Sequence, residues 1–152
     1  LDISGETGNP EDLAFNSDGT KLYILENEDT DSILTYPLDT AWDVSSYSSG
    51  VSTLNLSALS PTDQTPVNPD AFEFSSDGQY LFIADPATEK ILRYTLTTKW
   101  NVSANSAFAS YQIITQNGVI EDNVRGLAFG DNGKRFYYTG PTDTVWQYKL
   151  ED

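Results

Sequence analysis

The residues of this 152-residue chain best suited to chemistry are carboxylates. Glu11, Asp12, Asp70, Glu121 and Asp122 stand just before or at the start of apolar stretches, and Arg125 is the one cation at a matching place. Carboxylates that converge with loop carbonyls suit Ca²⁺, which takes six to eight oxygens. Arg125 suits a partner such as Asp70 or a ligand carboxylate. A second concentration, Glu26-Asn27-Glu28-Asp29-Thr30-Asp31, packs four carboxylates into six residues. A cation would relieve its repulsion, and a solvated acidic loop would do so equally well. The candidate ligand-binding set is therefore Glu11, Asp12, Asp70, Asp122 and Arg125. The candidate metal set is Glu11, Asp70, Glu26, Asp29 and Asp31.

Composition narrows the chemistry. There are 8 Lys and Arg against 23 Asp and Glu, a net charge of −15, and no Cys, His or Met. Missing His and Cys removes Cys/His zinc sites, thiol nucleophiles and Ser-His-Asp triads. The acidic balance argues against nucleic acid and anionic membrane. No apolar run approaches the ~20 residues of a membrane span. The missing Met implies a processed product or a piece of a longer chain. Carboxylate-only acid–base catalysis stays open, but no single Asp or Glu stands out from the acidic background.

The elements that must position these carboxylates are set by an internal repeat. Pro10-Glu11-Asp12-Leu13-Ala14-Phe15-Asn16-Ser17-Asp18-Gly19 aligns with Pro69-Asp70-Ala71-Phe72-Glu73-Phe74-Ser75-Ser76-Asp77-Gly78 at an offset of 59. Ile33-Leu34-Thr35-Tyr36-Pro37-Leu38 aligns with Ile91-Leu92-Arg93-Tyr94-Thr95-Leu96 at 58. A third copy runs through Phe129, Asn132-Gly133, Phe136-Tyr137-Tyr138 and Val145 to Leu150. Asp-Gly and Asn-Gly pairs supply the positive φ of hairpin turns. The flanking stretches alternate as strands do. Each unit reads as four strands: one ending at Phe15, Phe74 or Phe129; a second at 21–25, 80–84 or 135–139; a third at 32–38, 90–96 or 144–150; a fourth at 52–56 or 110–115.

Tandem four-stranded units are the signature of an all-β fold, the β-propeller. The chain reads as a single propeller domain over residues 1–152, with blades at about 10–57, 69–115 and 124–152. Leu1-Asp2-Ile3-Ser4 resembles Leu54-Asn55-Leu56-Ser57 and is expected to supply the outer strand of a third blade. Propellers have about four to eight blades, so three blades point to a six-bladed ring. A homodimer with exchanged N-terminal strands would close it. Excision from a longer single-chain propeller is the alternative.

The stretch Phe15 to Tyr23 with Asp31 to Ser45 resembles the F-x-x-D-G-T-K-x-Y … Y-x-L-S-T-x-W-D-I-S propeller repeat of bacteriophage and marine bacterial structural proteins. That repeat is related to YVTN-type and lactonase-like propellers. The second copy keeps Ser76-Asp77-Gly78 and Trp100-Asn101-Val102-Ser103, while the third stops before any Trp-Asp-Val-Ser. The resemblance implies an adhesin-like or virion-associated module, extracellular or on a virion, that binds or assembles rather than catalyses. Its ligand, a glycan, protein or Ca²⁺, is expected at the acidic mouth. A Ca²⁺-dependent lactonase-like or esterase-like hydrolase is the alternative. Trp42 and Trp100 suggest sugar stacking, but a repeated aromatic is more often a packing residue. Asn55-Leu56-Ser57 and Asn101-Val102-Ser103 match the glycosylation pattern by chance in such a chain.

Overall fold

The computed structural model describes residues 1–27, 31–59, 66, 68–87, 90–103, 108–114, 124–141 and 143–149. Eleven strands lie among them: β1 (Pro10–Phe15), β2 (Lys21–Glu26), β3 (Ser32–Pro37), β4 (Ser52–Asn55), β5 (Ala71–Phe74), β6 (Tyr80–Asp85), β7 (Lys90–Leu96), β8 (Phe108–Ile114), β9 (Gly126–Gly130), β10 (Arg135–Thr139) and β11 (Val145–Lys149). Among the described residues helix is confined to short 3₁₀ turns such as Val44–Ser46 and Leu56–Ala58. The strands form three antiparallel sheets, β1-β2-β3-β4, β5-β6-β7-β8 and β9-β10-β11, each in chain order.

The turn chemistry repeats with the sequence. Gly19, Gly78 and Gly133 have φ of 72°, 73° and 84°, the left-handed backbone that an Asx-Gly hairpin requires. Asp18 Oδ1 accepts from the Thr20 amide at 3.0 Å, and Asp77 Oδ1 accepts from the Gln79 amide at 3.0 Å. Over the first two of these glycines lies a tryptophan. Trp42 N–H donates to the Gly19 carbonyl at 2.9 Å and Trp100 N–H to the Gly78 carbonyl at 3.0 Å. Both tryptophans have left-handed φ themselves, 66° and 58°. The two glycosylation-like triplets are caps. Asn55 Oδ1 and Asn101 Oδ1 accept from the amides of Ser57 and Ser103 at 2.9 and 3.0 Å.

Strand residues point alternately to opposite faces, and in the first two sheets both faces are apolar. The first joint, between sheets one and two, contains Tyr23, Leu25, Ile33, Leu54, Phe72, Phe74, Leu81 and Ile83, all buried. At the second, Ala71, Phe82, Ala84 and Ile91 meet Phe136 and Tyr138, with Leu127, Phe129, Trp146 and Tyr148 half-buried around them. A third cluster (Leu22, Ile24, Leu34, Tyr36 and Leu38) lies on the far face of the first sheet.

That far face also holds the first residues of the chain. Leu1–Ser4 forms no strand and does not edge the third sheet, which has three strands among the described residues. Ile3 packs instead against the Leu22 and Ile24 cluster of the first sheet. The amides of Glu6 and Thr7 turn back onto the Ile3 carbonyl at 3.0 and 3.1 Å. The physical reason is burial: within one chain, Ile3 finds apolar cover on the first sheet.

Candidate functional site

One end of the first two sheets is acidic: β1 and β5 begin there, β2 and β6 end there, and β3 and β7 start again, while β9 of the third sheet begins at the same end just after Arg125. The hairpin register pairs Pro10 with Glu26, Glu26 with Ser32, and Asp85 with Lys90. The Asx-Gly turns and both repeated tryptophans occupy the opposite end.

Asp12 lies on β1 facing the second sheet. Its Oδ2 accepts from the Phe72 amide at 3.0 Å, tying β1 to β5, and its Oδ1 accepts from the Leu13 amide at 2.8 Å. Burial pushes its carboxyl above the ordinary range despite those bonds. Glu73, in the middle of β5, is raised by burial too, with the Asp12 charge adding to it. Glu11 is exposed and accepts from Asn9 Nδ2 at 2.7 Å. Asp70 precedes β5. Burial raises it, the Glu11 and Asp85 charges raise it further, and Arg125 opposes them.

Glu26, buried at the end of β2, accepts from Ser32 Oγ at 2.9 Å. Asp31 is raised by burial and by the charges of Glu26 and Asp85. Arg125 is exposed just before β9, its amide on the Thr139 carbonyl at 2.9 Å. The structure thus brings Glu26 and Asp31 together electrostatically, and Glu11, Asp70 and Arg125 likewise. Among the described residues no three carboxylates are placed to share one metal ion. Asp29 and Asp122, with Glu28 and Glu121, lie outside the described residues.

Two carboxylates at this end escaped the sequence reading. Asp85 is fully buried at the end of β6 and accepts from the Ala87 amide at 3.1 Å. Its signal was positional, since it repeats Glu26 at the offset of 59. Glu73 was hidden in Phe72-Glu73-Phe74, where alternation suggests a wetted face; here that face looks toward a neighbouring sheet.

The tryptophans are packing residues. Trp100 rests on Phe74 with ring centroids 5.1 Å apart, and its carbonyl accepts from the Tyr23 hydroxyl at 2.7 Å and Lys21 Nζ at 3.2 Å. A cleft of about 200 Å³ opens beside it. Trp42 makes the equivalent contact with Phe15 at 5.3 Å but stays 59% exposed. Trp146 faces the second sheet from β11, stacked on Tyr138.

No protein-family model matches the chain, and no curated protein matches it. The fold is similar to the crystal structure of a candidate 6-phosphogluconolactonase from Bacteroides uniformis, with a TM-score of 0.60 and 21% sequence identity. The similarity covers 96% of this chain and 40% of that one. The class of protein is thus an all-β, propeller-like fold, related in architecture to lactonase-like propellers. The chain spans less than half the length of that neighbour.

Proposed function

We propose that this chain is a non-catalytic binding module whose acidic end takes a cationic ligand, Ca²⁺ or a protein's basic segment. One observation carries the reading. Asp12, Asp31, Asp70 and Glu73 are all held above the ordinary carboxylate range by burial. The charges of neighbouring carboxylates add to this at Asp31, Asp70 and Glu73. Ionised carboxylates crowded in this way gain when a cation arrives, because it removes both repulsion and poor solvation. An extracellular or virion surface suits such a role.

The test is thermal melting in rising Ca²⁺ against NaCl of matched ionic strength. A Ca²⁺-specific, saturable rise in melting temperature that Asp70→Asn and Asp31→Asn weaken is expected. Equal curves in the two salts would reject cation binding.

The second reading, a lactonase-like hydrolase, is favoured by the structural neighbour. Its chemistry would be carboxylate-assisted attack of water on the lactone carbonyl. Incubation with 6-phosphogluconolactone decides it: acceleration over the buffer rate, lost in Asp12→Asn or Asp70→Asn, would replace the binding reading.

A further inference from the structure

The two joints use the same positions of the repeat. At the first, the Tyr23 ring on β2 meets Phe74 at the end of β5 with centroids 4.6 Å apart. At the second, Phe82 on β6 meets Phe129 near the end of β9 at 4.7 Å. Tyr23 and Phe82 are equivalent, as are Phe74 and Phe129. The next member of each series lies on an outer face. Tyr137 on β10 follows Tyr23 and Phe82. Phe15 on β1 precedes Phe74 and Phe129, already resting on Trp42 as Phe74 rests on Trp100.

We infer that the open face of the third sheet docks on the far face of the first sheet of a second copy, setting Tyr137 against the partner's Phe15. The giving face is ready. Val145, which repeats Ile33 and Ile91, is 68% exposed on β11. Arg135 repeats Lys21, and Tyr137 repeats the tyrosine whose hydroxyl reaches the Trp100 carbonyl. On the receiving face, Trp42 repeats Trp100, and among the described residues nothing donates to its carbonyl.

Two further observations select a second copy as occupant. Residues 1–57 carry one Lys against eleven Asp and Glu, whereas residues 124–152 carry four cations against four anions. Head-to-tail contact therefore puts Lys149 and Arg135, the latter already paired with Asp131 at 3.2 Å, toward the Asx-Gly end of the first sheet, where Asp18, Asp39 and Asp43 lie, whereas contact between two first sheets would set like against like. The segment 1–7 covers the receiving face incompletely. Leu13 is 60% exposed beside a cleft of about 410 Å³ lined by Ile3 and Ile24. The Tyr36 hydroxyl beneath is buried with no hydrogen-bond partner. Docking displaces that segment, and two copies close on each other by two equal contacts. This inference does not depend on any ligand at the acidic end.

Light scattering on the intact chain tests it. The expected particle has twice the 16.8 kDa of one chain. Val145→Asp and Leu13→Asp, both at exposed positions, each return it to a single chain with unchanged circular dichroism. Mixing those two variants restores association, because one of the two contacts then joins intact faces. Tyr137→Ala weakens association by at least about tenfold, and removal of residues 1–7 strengthens it. A single-chain mass at every concentration overturns the inference, as does a dimer indifferent to both aspartates or a mixture that stays monomeric.

Discussion

The two joints share one ring–ring contact and differ in almost everything around it. At the first, Phe74 is buried, touching Tyr23, Phe72 and Trp100 at once. A hydroxyl and an ammonium reach across to the Trp100 carbonyl. At the second, Phe129 is half-buried and touches Phe82 and Phe136. Phe82 has no hydroxyl to reach with. The comparison teaches that the repeat fixes the spacing of its sheets through an aromatic pair, while the surrounding shell decides how firmly each joint holds.

The largest effect should come from emptying that pair. Phe74→Ala leaves a cavity among rings that cannot collapse into it and should cost about 3–5 kcal/mol. Phe129→Ala, at a ring that water already reaches, should cost clearly less. Urea unfolding of both variants measures the gap. Equal losses would mean that the two joints are equally tight and would remove the contrast.

The next effect concerns the tryptophan lids. A Cβ at Gly78 would collide with the Trp100 ring, and one at Gly19 with the Trp42 ring. Left-handed backbone alone costs an L-residue about 1–2 kcal/mol. Trp42 can swing into solvent, whereas Trp100 is pinned between Phe74 and the Tyr23 hydroxyl. Gly78→Ala should therefore lose more stability than Gly19→Ala, which should lose little beyond the backbone term. Melting temperatures of the two variants, side by side, sharpen the comparison of the first and second sheets.

Smaller again is the hydroxyl at the first joint. Tyr23→Phe removes one hydrogen bond without opening a cavity, for a loss near the lower end of ~0.5–1.5 kcal/mol. Lys21 still serves the Trp100 carbonyl, which keeps the acceptor from being orphaned. A loss as large as that of Phe74→Ala would show that the polar reach, not ring packing, sets the joint.

Much of this was legible in the sequence for physical reasons. The hairpins were, because only a few residue pairs allow left-handed turns and those pairs recur at Gly19, Gly78 and Gly133. The strand at 52–56 was drawn one residue too long, because Asn55 ends it by capping a 3₁₀ turn. Short polar turns carry no periodicity to betray them. The acidic end was readable from where carboxylates fall relative to the strands, but the depth of Glu73 and Asp85 was not. Depth depends on the neighbouring sheet, which no local pattern encodes. The place of Ile3 within one chain was hidden for the same reason. The likeness of Leu1–Ser4 to Leu54–Ser57 was real, but the apolar face that captured Ile3 exists only once the first sheet has formed.

Glu73 makes the finest test of how the joint and the acidic end constrain each other. Its carboxyl lies among the inner strands, raised by burial and by the charge of Asp12, while accepting from the Phe74 amide at 3.0 Å. A raised carboxyl binds its proton more tightly folded than unfolded. It therefore weakens the fold once pH passes above its folded value, and the penalty fades as pH falls toward its ordinary value of 4.5. Asp77 works in the opposite sense. Lys99 Nζ, 2.8 Å away, helps hold it down to about 2, so its contribution is present above the ordinary value of 3.8 and is lost as pH falls toward 2. Because Asp77 and Lys99 are about half exposed, that contribution is modest. Glu73→Gln keeps an acceptor for the Phe74 amide and removes the charge. It should raise the melting temperature slightly at pH 7, with the gain vanishing below the ordinary carboxylate range. Asp77→Asn should lower the melting temperature at pH 7 and lose its effect in strong acid. If Glu73→Gln instead destabilised the chain at neutral pH, the ionised carboxylate would be an asset to the second joint, toward which its face of β5 looks. The strain assigned to the acidic end would then be misplaced.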